Sequence, residues 1–183
     1  MTSLRLLLAA AALLTVGGCA DAGTILDPTP TARSTHNQSS QRSASAARKV
    51  ETSGQFTALV DFSTLTLTPR GRNCLLRVNG QLVFTGTIEG TATGQTSALV
   101  FAPCSQVATT PPGTFRDVFK SELVFEGTVD GKAAEAKLLY MGRVRPGGEI
   151  EGRLVFSRGI AGRLEAEAVV AVGGTYSGSV VIN

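Results

Sequence analysis

The sequence predicts an all-β fold: an eight-stranded antiparallel β-barrel over residues 54–183, preceded by a signal peptide and a disordered linker. Three observations predict it. Past Gln55, apolar and polar residues alternate with a period of two, leaving one wet face, as in antiparallel strands around a single core. No segment past residue 53 carries a helical period. Glycine occurs 21 times, tryptophan is absent, and Val, Thr and Phe recur in short runs, a composition of strands and many turns.

The N-terminus reads as an address. Met1 to Arg5 carries one positive charge, Leu6 to Val16 is an eleven-residue apolar run, and Val16-Gly17-Gly18-Cys19 follows. Such a run is too short to span a ~30 Å hydrocarbon core as a helix. A basic start, an apolar stretch and small residues before a cut site make a secretory signal over residues 1–18. With a cysteine directly after the small pair, the segment resembles a bacterial lipoprotein signal. That resemblance implies acylation of Cys19, cleavage before it, and an exported protein anchored by lipid to the cell membrane or outer membrane. Each buried methylene of such an anchor contributes about 0.8 kcal/mol. Ala20, not Asp, follows the cysteine, which in such lipoproteins implies the outer membrane where the host has two. The alternative is an ordinary cleaved signal with an incidental cysteine.

Residues 19–53 form the expected linker. Ala, Ser, Thr, Gln, Asn and Arg dominate, with Pro28 and Pro30 near the start, and apolar residues are too sparse for a core. A coil of this length has a root-mean-square span of roughly 30 Å. Arg33, Arg42, Arg48 and Lys49 offer charge to anionic lipid, although a solvated linker is the plainer reading. Removing residues 1–18 leaves 165 residues, enough for one domain. Arg5 leaves with the signal, so 16 Lys plus Arg face 14 Asp plus Glu. That balance, with no basic stripe interleaved with aromatics, argues against a nucleic-acid partner.

The strands are read from parity. Phe56, Ala58, Val60 and Phe62 share a face. Ile150, Gly152, Leu154 and Phe156 alternate with Glu149, Glu151 and Arg153. Leu164, Ala166, Ala168, Val170 and Val172 oppose Glu165 and Glu167, and Tyr176, Gly178, Val180 and Ile182 oppose Thr175, Ser177 and Ser179. Asn79-Gly80 has hairpin-turn residues. A two-residue turn there would send Leu82 and Phe84 away from Leu76 and Val78, so one long strand through Gly80 is preferred. Turns then fall at Pro69 to Arg72, Gly90 to Gly94, Asp130-Gly131, Arg145 to Gly148, Ser157 to Gly162 and Gly173-Gly174, with one long loop at Ser105 to Thr114.

A short unit recurs. Leu82-Val83-Phe84 leads to Ile88-Glu89-Gly90, Leu123-Val124-Phe125 to Val129-Asp130-Gly131, and Leu154-Val155-Phe156 to Ile160-Ala161-Gly162. Its spacing is irregular, so it is no solenoid repeat but one strand-to-turn solution reused. Phe84, Phe125 and Phe156 point inward, and inward glycines let the strands coil until the barrel closes and its edges disappear. Gly127-Thr128-Val129-Asp130-Gly131-Lys132, Tyr140-Met141-Gly142-Arg143, Gly147-Gly148-Glu149-Ile150-Glu151-Gly152 and Gly173-Gly174-Thr175-Tyr176-Ser177-Gly178 resemble hairpins of the allene oxide cyclase-like, dirigent-like barrel family. The resemblance covers roughly residues 53–183 and implies an eight-stranded barrel with an apolar interior. The plant enzymes of that family use polar cavity groups. None of these matches a position here, so no catalytic residue is carried over.

Little chemistry is legible. The only histidine, His36, lies in the linker, so the domain lacks a Ser-His-Asp or Cys-His pair and the clusters of a zinc or copper site. No metal and no cofactor is expected. Glu149, Glu151, Glu165 and Glu167 face outward as solubilising charges, and parity turns Asp61 outward as well. Tyr140 and Tyr176 face inward, where a phenol needs a hydrogen-bonding partner or a ligand. Tyr140, Tyr176, Phe84, Phe125 and Phe156 are the candidate ligand-binding residues. Cys74 and Cys104 are the disulfide candidates in an oxidising compartment. A turn centred near Ala92 sets Cys104 opposite Gly80, roughly 20 Å from Cys74 against the ~6 Å a bridge allows. A bend near Gly80 or Pro103 closes that gap, and without one the thiols stay apart.

Three function classes remain. The first is a module binding a small apolar ligand in the barrel mouth. The second is a structural or self-associating barrel of the envelope, for which outward Val83, Val124 and Val155 supply an apolar patch. The third is a cyclase- or isomerase-like enzyme using cavity polar groups. A buried inward carboxylate near a pocket favours the third, and a filled interior the second.

Overall fold

The computed structural model describes residues 47–182. The expected signal, Cys19, His36 and the expected linker up to residue 46 lie outside the described residues. Eight strands follow in chain order: β1 (Arg48–Arg70), β2 (Asn73–Gly86), β3 (Ile88–Val100), β4 (Asp117–Val129), β5 (Lys132–Val144), β6 (Glu149–Ser157), β7 (Ile160–Val169) and β8 (Gly173–Ile182). Each pairs antiparallel with the next, and β1 pairs with β8 from Arg48 opposite Ile182 to Thr57 opposite Gly173. The barrel is therefore closed, and every strand has a neighbour on both sides.

The first strand begins at Arg48 rather than at the expected residue 54, because Arg48 to Ser53 complete the ladder with β8. β2 runs straight through Asn79-Gly80, as parity requires. Gly80 is a point of close approach: a Cβ there would lie 2.8 Å from the Leu59 carbonyl oxygen.

The expected turn at Gly90 to Gly94 is corrected. β3 passes through both glycines, and the chain reverses instead at Gly86-Thr87, where Gly86 has φ +112°. Gly94 is glycine because β4 crosses so closely that a Cβ would sit 2.1 Å from the Glu122 carbonyl oxygen. The register moves with the turn and sets Cys74 opposite Val100, four residues before Cys104. That proximity decides the open question: Cys74 and Cys104 form a disulfide, with their Cα atoms 4.8 Å apart.

Two strand ends also differ from parity. β1 bulges between Asp61 and Thr66, leaving Phe62 to Leu65 without partners on β2. The backbone N–H of Ser63 donates to Asp61 Oδ1 (3.0 Å), and the Asn79 N–H donates to Thr64 Oγ1 (2.9 Å). The bulge lifts Phe62 out of the core to 53% exposure at the rim. β7 ends at Val169, so Val172 lies in the turn and is 62% exposed.

The two ends of the barrel are unlike. One end carries short turns at Gly86-Thr87, Asp130-Gly131 and Arg158-Gly159, together with the start of β1 and the end of β8. The other, the mouth, carries the turns at 71–72, 145–148 and 170–172 and the long connection 101–116. That connection contains a one-turn helix, α1 (Cys104–Val107), where only a loop was expected. It forms a strap tied at both sides. The disulfide pins it to β2 within a small cluster that buries Cys74, Val100 and Ala102. At its far side Gly147 N–H donates to the Gly113 carbonyl (3.1 Å), and the two backbones touch so closely that a Cβ on Gly113 would meet Gly148 Cα at 2.7 Å.

The proposed valine patch does not assemble. Val83, Val124 and Val155 lie on β2, β4 and β6, strands that are not neighbours. Their outward cross-strand partners include Thr91, Thr93, Lys137 and Arg163.

Candidate functional site

The barrel interior is divided along its axis. Below the middle, aromatic rings fill it. Phe84 sits 5.9 Å from Phe125 and 5.7 Å from Tyr176, and Phe125 sits 5.6 Å from Phe156, each edge-on. Edge-to-face rings at these spacings add to the burial energy of each side chain. Tyr176 closes this end. Its hydroxyl accepts from the Ile88 N–H at 3.0 Å and lies 3.2 Å from the carbonyl oxygens of Thr85 and Ile88, which share its single proton. Burial raises its pKa. Tyr176 is thus a latch on the β2–β3 turn. Tyr176→Phe leaves the buried Ile88 N–H unpaired and should cost about 1–3 kcal/mol in a urea melt.

Above the aromatic plug the interior is hollow. A cavity of about 300 Å³ opens toward the mouth beneath the strap. Its wall is mostly apolar, with Leu76, Val78, Ala98, Val100 and Leu123 from the strands and Val107, Pro111 and Phe115 from the strap. Of the five candidate ligand-binding residues, Tyr140 alone lines it. Phe84, Phe125, Phe156 and Tyr176 pack in the plug and do not line the cavity.

Besides Asn79, Gln81, Thr110 and Thr114, three polar features punctuate the cavity wall. Tyr140 is buried, held edge-on against Phe119 at 4.9 Å and Phe56 at 5.7 Å, and its hydroxyl has no protein partner. Burial pushes the phenol pKa far up, so it remains a neutral donor and acceptor. Ser121 Oγ and Thr96 Oγ1 hydrogen-bond to each other at 2.7 Å. Asp117, at the start of β4, faces the same way as Phe119, Ser121 and Leu123. Its Oδ1 is closed off from solvent and meets no donor.

Asp117 and Ser121 were not singled out from sequence. The signal was present: Asp117, Phe119, Ser121, Leu123 and Phe125 alternate with Val118, Lys120, Glu122 and Val124. Asp61, by contrast, faces out, as parity requires, and holds the β1 bulge.

Burial lifts the Asp117 carboxyl from the ordinary 3.8 to about 7. Between those two values the folded protein keeps a proton that the unfolded chain has lost. Stability therefore falls as pH rises through this window and stays reduced above about 7. Asp117→Asn removes the loss. Discounted for the partial exposure of the side chain, the gain is about 1–2 kcal/mol at pH 8 and smaller at pH 5. Thermal melts of both proteins at the two pH values check this.

Among the described residues no group of three or more His, Cys, Asp or Glu is placed to hold a metal ion. No helix among them is long and apolar enough to cross a membrane.

No protein-family model matches the chain, and no curated protein matches it. Among solved structures it is similar to the crystal structure of a protein of unknown function from the DUF3224 family of Shewanella oneidensis MR-1. The identity is 17% and the TM-score 0.47, with 75% of this chain and 98% of that chain covered.

Proposed function

We propose that the protein is an exported lipoprotein, anchored through Cys19, whose barrel holds a small apolar ligand in its mouth. The observation that carries the reading is the division of the interior: an aromatic plug fills one half, and an apolar cavity of about 300 Å³ occupies the other. Small-ligand sites are concave and mostly apolar, with a few convergent polar groups, and this cavity has that composition. The chain enters the barrel at Arg48, at the end opposite the mouth. The lipobox over residues 16–19 supports export and anchoring.

The test fills the cavity. Ala98 is buried in the wall, and Ala98→Trp places an indole in the space a ligand would use. In calorimetric titration of the full chain, 1-octanol should bind one-to-one to the wild type and at least tenfold more weakly to a folded Ala98→Trp variant. Equal affinity in both would refute the cavity as the site.

The buried carboxyl of Asp117 beside the pocket favours a second reading, a cyclase- or isomerase-like enzyme of the kind the resemblance to allene oxide cyclase-like barrels implies. An apolar ligand recovered chemically changed after incubation would select it.

A further inference from the structure

The cavity has one charged side chain. Its lining contains the carboxyl of Asp117 and no lysine, arginine or histidine. The basic residues nearest along the chain are engaged elsewhere. Arg116 lies over the Phe101 ring at 5.0 Å and Lys120 pairs with Glu122, while across the mouth Arg145 pairs with Glu151. On the paired strands, Asp117 faces only Val100 of β3 and Val144 of β5. A buried carboxyl oxygen without a donor costs free energy that a ligand can return. Phe115 and Phe119, two residues to either side of Asp117, also line the cavity, and ring faces attract cations.

Resting on the reading above, we propose that the mouth cavity selects hydrophobic amines: a single ammonium paired with Asp117 beneath the strap, and an apolar body extending down toward Tyr140. The charge balance separates this class from its competitors. A fatty acid would bring a second carboxylate against Asp117 with no cation to offset it, and like charges disfavour such a site. An alcohol gains the apolar contacts but not the ion pair. An ammonium supplies the donor that Oδ1 lacks, and a charge-assisted bond of this kind is roughly twice as strong as a neutral one. Because Asp117 holds a proton below about 7, amine binding at lower pH displaces that proton and is weaker there.

The experiment titrates the full chain, in one fixed concentration of non-ionic detergent, with octylamine, 1-octanol and octanoate at pH 8. Octylamine should bind at least tenfold more tightly than 1-octanol, with octanoate weakest. Asp117→Asn should abolish the preference for the amine, so that octylamine binds the folded variant no more tightly than 1-octanol does. Octanol or octanoate binding as tightly as octylamine to the wild type overturns the amine selectivity, whatever the variant does, and leaves the cavity reading standing. A preference retained in folded Asp117→Asn overturns the role of Asp117. Failure of all three compounds to bind overturns the cavity reading itself.

Discussion

Phe125→Ala should destabilise the barrel by about 3–5 kcal/mol, the largest loss expected from any single truncation here. Phe125 is fully buried and meets both Phe84 and Phe156 edge-on, so removing its ring breaks two aromatic contacts and leaves a void at the centre of the plug. The surrounding wall is backbone held by ladder hydrogen bonds on both sides, which limits how far it can collapse into the gap. Urea unfolding followed by circular dichroism measures the loss. The truncation lies below the mouth cavity, so ligand affinity in the folded fraction should change far less than stability does. A loss under about 1 kcal/mol would mean that the plug is not the stabilising core.

Removing the disulfide has the second largest effect. The bridge joins residues 30 apart in sequence, and a loop of that length corresponds to about 3.5 kcal/mol on the chain-entropy account. Cys74→Ala with Cys104→Ala should lower stability by that order. The double variant also frees one side of the strap, while Gly113 still holds the other against the β5–β6 turn. A bound ligand should therefore leave faster, by several-fold, because one tie across the mouth is gone. Stopped-flow displacement compared with urea melts separates the two consequences. A lower melting point with an unchanged off-rate would show that the strap does not control access.

Which face each residue takes was legible in the sequence. How far along the barrel it sits was not. Parity turned Tyr140, Tyr176, Phe84, Phe125 and Phe156 inward, and all five are buried. Parity has no knowledge of register, so it could not tell that Tyr176 closes the far end while Tyr140 borders the cavity. The error at Gly90 and Gly94 has the same origin. A glycine between strand-like runs signals either a reversal or a close backbone approach, and here the approach of β4 required it. Once the turn moved to Gly86-Thr87, the pairing of Cys74 with Cys104 followed. Asp117 escaped notice because it sits where a long loop becomes a strand, so its parity could be read only after the start of β4 was known.

The central claim is that the mouth half of the barrel is a binding site and the other half is not. Native mass spectrometry of the full chain, purified gently from its host beside Ala98→Trp and followed by organic extraction, tests this most directly. A stoichiometric small-molecule adduct is expected on the wild type and is expected to be missing from the folded variant. A wild type without adduct, or the same adduct on both proteins, would contradict it.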